Sequence, residues 1–172
     1  MVQLRDKKSD DLKFLELAKR VHKITSKRRI PLIINDRVDV AKLGNAEGVH
    51  LGEEDIPIKE ARKILGSKKI IGASATDIKS AKRKEREGAD YIGLGPIFET
   101  GSKEIERPLG IEILKRAKKN LKIPVFPIGG INLSNIEQII STNTKRIAVI
   151  SAIFMAEDVK KTTQELLIKL KE

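Results

Sequence analysis

Seven short runs rich in β-branched and other apolar residues recur along the chain, most of them separated by enough residues for one helix. This repeat constrains the fold more than any other feature. The runs are VQLR (2–5), PLIIN (31–35), GVHL (48–51), IIGAS (70–74), DYIGLG (90–95), PVFPIG (124–129) and RIAVIS (146–151). Several are apolar at consecutive positions, as strands of a parallel sheet covered on both faces must be. The intervals carry helical patterns. Leu12, Leu15, Ala18 (or Val21) and Ile24 form the expected stripe of the first helix. Ser9, Asp10 and Asp11 stand at its start, where helix N-termini favour acceptors and negative charge. Pro57 falls where a first helical turn tolerates proline, and Gly66 closes that helix. Ser134 and Glu137 have capping-box spacing. Strands alternating with helices require right-handed βαβ units.

Polar residues gather where these strands end. LIINDRVD (32–39) passes from an apolar strand directly into an amide, a carboxylate and a guanidinium. Similar groups follow other strands: Arg5 and Lys7, Asn35 and Asp36, Asp55, Ser74, Thr100 to Lys103, Gly129 and Gly130, and Ser151. A doubly wound sheet collects its ligand groups at one switch point, and no Gly-rich dinucleotide fingerprint follows the first strand. Functional groups at nearly every strand end predict an α/β fold of the TIM (β/α)8-barrel type, with the site at the C-terminal ends of the strands. Such a barrel has eight strands, and only seven βα units are present in this chain. At 172 residues the whole chain, 1–172, is expected to be one barrel domain.

Composition narrows the function. With 40% apolar and 34% charged residues the chain reads as globular. No stretch is long and apolar enough to span a bilayer and no signal-peptide pattern opens it, so a cytoplasmic protein is expected. Zero cysteines exclude disulfides, thiolate metal sites and cysteine nucleophiles, and two histidines argue against a multi-histidine centre. The net charge of +11 raises nucleic acid as a partner. Yet KSAKRKEREG (79–88) and KRAKKN (115–120) have amphipathic spacing that turns their lysines outward, and aromatic residues, at 3%, are too few for stacking platforms. Neither nucleic acid nor membrane is expected as a partner. Abundant Lys, Glu and Ile fit a heat-adapted protein.

QLRDK (3–7), IINDRVDVA (33–41), GVHLGEED (48–55), GASA (72–75), ADYIGLGPIF (89–98), PIGGI (127–131) and VISAIF (149–154), in this order, resemble thiamine phosphate synthase. The resemblance runs from residue 2 to about 158. It implies Mg²⁺-dependent joining of 4-amino-2-methyl-5-hydroxymethylpyrimidine diphosphate to 4-methyl-5-(2-hydroxyethyl)thiazole phosphate, with release of pyrophosphate. A departing diphosphate needs fixed cations and donors. Arg5 offers a planar fork, Lys7 a point charge, Asn35 a neutral donor, and Lys103 a cation from the long loop. Asp36 and Asp55 are hard oxygen ligands suited to Mg²⁺. The resemblance places these residues at diphosphate or metal. It places Gln3 and Ser74 at the pyrimidine, and Thr100, Ser102 and the Gly129–Gly130 and Ile150–Ser151 amides around the long loop and the thiazole phosphate. The implied mechanism is dissociative: pyrophosphate leaves, a pyrimidine-methyl cation forms, and the thiazole nitrogen attacks.

Several of these residues also have a purely local explanation. Arg5 and Lys7 read equally as solvated charges. Asp36 also reads as a cap for the turn VDVAKLG, and Asp55 as a cap for the helix opening at Pro57. Arg37 and Asp39 read as a structural ion pair, and His50 as either a core residue or one at the barrel mouth. A thiazole tautomerase of the same fold would carry a histidine where Thr76 stands and would lack the aspartate pair. The chain also accommodates an inactive regulatory relative of that fold, or a basic nucleic-acid-binding or scaffold protein. Glu99 replaces the proline usual in the loop, and Ser102 a threonine. The family's first strand and helix precede QLR, whereas Met1 here precedes Val2 directly. Self-association through an open barrel seam, as a homo-oligomer, is therefore expected.

Overall fold

Apolar residues at consecutive positions call for strands buried on both faces, and Leu32, Ile33 and Ile34 are fully buried. The computed structural model describes residues 1–100 and 107–171. The chain divides into two compact units, Met1–Ser74 with Lys84–Tyr91, and Ala75–Arg83 with Ile92–Glu172.

In the first unit β1 (Val2–Leu4), β2 (Leu32–Asn35), β3 (Gly48–Leu51) and β4 (Ile70–Ala75, its last residue in the other unit) lie side by side in chain order, all parallel. Leu32, Ile33, Ile34, Val49, Leu51 and Ile71 are at most 1% exposed. Each such side chain contributes about 1.5–3 kcal/mol by leaving water. The register pairs Leu4 with Ile34, Asn35 with His50, and Leu51 with Ala73. The strands therefore end nearly level, and Arg5, Asp36 and Gly52, which follow them, emerge at the same end as Ser74, one residue beyond the last paired position of β4.

Helices α1 (Asp11–Lys27), α2 (Val38–Leu43) and α3 (Ile58–Leu65) connect these strands. Asp10 caps α1, its carboxylate accepting from Lys13 N, as the acidic start predicts. The expected stripe holds in its middle, where Ala18 is buried and Leu15 and Val21 are half-buried, but not at its ends. Phe14, Ala18 and Thr25 are buried, whereas Leu12 is 67% and Ile24 57% exposed. Phe14 is bulkier than any leucine in the helix, and it and Thr25 take the inward places expected of Leu12 and Ile24. Gly66 ends α3 at φ +82°, as expected.

In the second unit β5 (Tyr91–Leu94, its first residue in the other unit) pairs in parallel with β6 (Val125–Pro127). α5 (Glu112–Asn120), α6 (Ile136–Ile140), α7 (Ser151–Phe154) and α8 (Val159–Lys169) follow, while α4 (Ile78–Glu87) runs through both stretches. The seventh strand expected at 146–151 is reduced to a single parallel bridge, Ile128 with Ala148. Pro124 O and Ile128 N bond toward β5, so Pro127 faces the other side. Its carbonyl accepts from Ala148 N, but it has no N–H to return. Gly129, at φ +98°, then turns the chain away.

Two other expectations are corrected. Ser134 and Glu137 form no capping box: Asn135 is the N-cap without a side-chain bond, Ser134 bonds Asn132, and Glu137 pairs with Lys169. The outward placement of lysines holds for 115–120, but Lys84 of α4 is 5% exposed.

Candidate active site

The loop after β1 is shaped by Asp6, whose Oδ1 accepts from the backbone N–H groups of Lys8 (2.9 Å) and Ser9 (3.1 Å). Those bonds hold its carboxyl below the ordinary value. Asp6 thereby folds the loop that carries Arg5 and Lys7. These two, with Asn35, Asp36 and Arg37, line a cleft of about 270 Å³.

Asp36 has the left-handed φ of +65°, and Arg37 N donates back to Asn35 O at 2.8 Å, so Asp36 is the centre of a three-residue turn. A non-glycine residue at positive φ is uncommon and is kept only where the surroundings demand it. Asp36 N donates to His50 O (2.8 Å), which ties the turn to β3. Capping is not its role: Arg37 is the N-cap of α2, with no side-chain cap bond. Nor does Asp55 cap α3, whose N-cap is Pro57; Asp55 Oδ2 instead accepts from Gly52 N at 2.6 Å.

Burial, and then the Asp55 carboxyl beside it, push Asp36 above the ordinary carboxylate value, while Lys7 and Arg5 pull it back. Two hard oxygen donors held against their mutual repulsion fit a divalent cation, which would relieve it. Among the described residues no group of three acidic or histidine side chains could hold a metal ion. A pair of carboxylates is a donor set that Mg²⁺ can use when water and phosphate oxygens complete its shell.

Arg37 and Asp39 form the expected ion pair, with Nε to Oδ1 at 2.9 Å and Nη2 to Oδ2 at 2.6 Å; Arg37 Nη1 also reaches Asp11 at 2.5 Å. They brace the loop from behind.

His50 resolves into a bridge between core and site. It is 8% exposed, its Nδ1 lies 2.9 Å from Tyr91 Oη, and its Nε2 lies 2.9 Å from Ser74 Oγ. Burial pushes the Tyr91 phenol up, and the nearby Gln3 side chain acts in the opposite sense. Gln3 itself is exposed.

Sequence reasoning missed Tyr91 and Lys84. Tyr91 is the chain's one tyrosine, set in a fully buried strand, and a buried hydroxyl needs partners; that signal was present. Lys84 sends Nζ to Gly52 O (3.2 Å) and to Glu53 (3.0 Å), which pins the β3–α3 loop carrying Asp55. Nothing local distinguishes it from the lysines around it.

In the second unit, a Cβ on Gly129 would lie 2.5 Å from Pro96 Cβ, and one on Gly130 2.3 Å from Glu99 O. Their bareness lets the β5 loop close on them, and Thr100 continues from that contact. The bridge at Ala148 brings the chain before Ile150–Ser151 alongside β6, and Ser151 opens α7. Ser102 and Lys103 lie outside the described residues. The structure thus gathers Arg5, Lys7, Asn35, Asp36 and Asp55 in one constellation and Gln3 and Ser74 in another.

A family model for thiamine monophosphate synthase matches residues 1–153. The chain is 49% identical to thiamine-phosphate synthase of Clostridium tetani, covering 96% of this chain and 79% of that protein. It is 48% identical to the thiamine-phosphate synthase of Halalkalibacterium halodurans, over 95% and 78% respectively. The solved thiamine phosphate pyrophosphorylase of Pyrococcus furiosus superposes with a TM-score of 0.88 at 40% identity, over 98% of this chain and 80% of that one.

Proposed function

The chain belongs to the thiamine monophosphate synthase family, an enzyme family of thiamine biosynthesis with a (β/α)-barrel-type fold, and from that premise we propose how its residues carry the reaction. The substrates are 4-amino-2-methyl-5-hydroxymethylpyrimidine diphosphate and 4-methyl-5-(2-hydroxyethyl)thiazole phosphate, and the products thiamine phosphate and pyrophosphate. The observation that carries the reading is the juxtaposition of two facing carboxylates with Arg5 and Lys7 around the turn at Asp36.

Asp36 and Asp55 would hold Mg²⁺, which when bound supplies positive charge to diphosphate oxygens. Arg5, Lys7 and Asn35, joined by Lys103, bind the diphosphate and offset the charge that grows as its bond to the pyrimidine methylene breaks. Gln3 and Ser74 orient the pyrimidine, whose ring amino group spreads the resulting cation. Thr100 and Ser102 and the backbone amides of Gly130, Ile150 and Ser151 receive the thiazole phosphate, its ring nitrogen attacking the methylene carbon. No protein nucleophile takes part, since positioning and charge suffice.

The test is condensation of the two substrates by this chain with Mg²⁺, thiamine phosphate being detected by mass. Product that falls at least about 100-fold in Asp36→Asn supports the reading. Full activity in that variant would refute the assigned metal site.

A further inference from the structure

We infer that Asn135, assisted by Asn132, is a positioning residue for the thiazole phosphate: its side-chain amide holds the Gly130 carbonyl, so that the glycine turn presents N–H groups to the anion and no carbonyl. The inference rests on the reading above that the phosphate is received at Gly130. It goes beyond that reading in assigning what gives two glycines a fixed orientation.

A glycine pair has no Cβ to restrict its backbone, and both members hold positive φ, +98° at Gly129 and +67° at Gly130. Hydrogen bonds must therefore define the turn, and three successive carbonyls receive them. Ile128 O accepts from Ile97 N at 2.9 Å and Gly129 O from Phe98 N at 3.1 Å, so the loop after β5 supplies backbone donors to the first two. The third, Gly130 O, accepts from Asn135 Nδ2 at 2.8 Å and from Asn132 Nδ2 at 3.3 Å. Side-chain amides thus take over as donors after two backbone rungs. A peptide unit is planar and trans, so its N–H points opposite to its C=O. Occupying the Gly129 and Gly130 carbonyls consequently sets the N–H groups of Gly130 and Ile131. Among the described residues neither N–H bonds another protein group. The turn has its acceptors occupied and its donors left over, which is the polarity an anion needs. A Gly130 carbonyl without its two bonds is free to turn toward the phosphate and repel it.

Asn135 leaves its local role to do this. It is the N-cap of α6, where an asparagine ordinarily accepts from the first turn, yet it makes no bond to the helix it caps. Its Oδ1 accepts instead from Asn132 N at 2.9 Å, while its Nδ2 goes to Gly130 O. Those partners, one a donor and the other an acceptor, admit a single orientation of the amide. Asn132 is held in turn, its Oδ1 accepting from Ser134 N at 2.9 Å and from Ser134 Oγ at 2.6 Å. Ile131, 4% exposed, and Ile136, fully buried, anchor the segment on either side.

Steady-state kinetics of thiamine phosphate formation with Mg²⁺ test this in wild type and in Asn135→Ala. The expected result is a rise in KM for the thiazole phosphate of about 10-fold or more, with kcat and the KM for the pyrimidine diphosphate changed less than about 3-fold. A merely structural asparagine would touch the two substrates alike. An equal rise for both, or no rise for the thiazole phosphate, therefore overturns the inference. ¹H–¹⁵N spectra of wild type decide the point without a variant. On addition of thiazole phosphate the Gly130 amide should move downfield, while the Asn135 side-chain NH₂ moves little because it stays on the Gly130 carbonyl. An unmoved Gly130 amide in an active enzyme overturns the inference. So does an Asn135 NH₂ that moves as far as the Gly130 amide, since Asn135 would then bind the phosphate itself. Wild type that forms no product and shows no spectral change with thiazole phosphate refutes the proposed function, and the inference falls with it.

Discussion

Asp36 combines three properties that a surface turn does not require: a left-handed backbone at φ +65°, partial burial, and a second carboxyl against its own. Each is unfavourable for folding by itself. That they occur together at a strand end is the residue-scale argument for a cation site. The position was legible in the sequence because Asn-Asp-Arg after three apolar residues is more polarity than a strand end needs. The positive φ was not, since Asp tolerates but does not announce it. Behind Asp36, the Arg37 guanidinium holds Asp39 below the ordinary carboxylate value. A carboxylate whose folded value is depressed adds stability above its unfolded value, near pH 4, and loses it as pH falls through the folded one. Asp39→Asn should therefore lower Tm at pH 7 and match wild type near pH 2. Thermal melts across that range check it. Because the Asp39 side chain is 56% exposed, the effect at pH 7 should stay at or below about 0.5 kcal/mol.

At the scale of elements, the site depends on parts that carry none of its chemistry. The loop bearing Asp55 is fixed from α4, whose Lys84 reaches Gly52 O and Glu53. Lys84→Met should destabilise the protein by about 1–2 kcal/mol, less than for a fully buried pair because Glu53 remains 58% exposed. Chemical denaturation gives that figure, and titration with Mg²⁺ should show weaker binding. Gly130 holds φ +67° against the Glu99 carbonyl. Gly130→Ala adds both strain and a clash with backbone, with an expected cost of about 2 kcal/mol or more and a raised KM for the thiazole phosphate. Denaturation curves and steady-state kinetics test the two halves separately. The strands were readable from their apolar runs, but 146–151 has the same composition as a full strand and makes one bridge. What limits it is a proline on the neighbouring strand, a tertiary fact absent from its own residues. The ends of the α1 stripe were misplaced for a related reason, since the bulkier Phe14 takes the inward place expected of Leu12.

For the molecule as a whole, the repeat of strand and helix determined the fold class from sequence, and the level strand ends explain why polar residues far apart in the chain gather. The chain's charge of +11 finds a use at this scale. A positive field raises the encounter rate of a diphosphate and is screened over roughly 10 Å at 0.1 M salt. Raising salt from about 20 to 200 mM should lower kcat/KM for the pyrimidine diphosphate several-fold and kcat much less, as stopped-flow and steady-state kinetics would register. Among the described residues no helix is long and apolar enough to cross a membrane.

The central claim is that Asp36 and Asp55 hold the cation that, with Arg5 and Lys7, supports departure of pyrophosphate. The most direct measurement is thiamine phosphate formation, followed by mass, for wild type with Mg²⁺, wild type with a chelator, and Asp36→Asn with Mg²⁺. The account predicts product in the first case and a loss of about 100-fold or more in the other two. Undiminished product after chelation, or in Asp36→Asn, would contradict it.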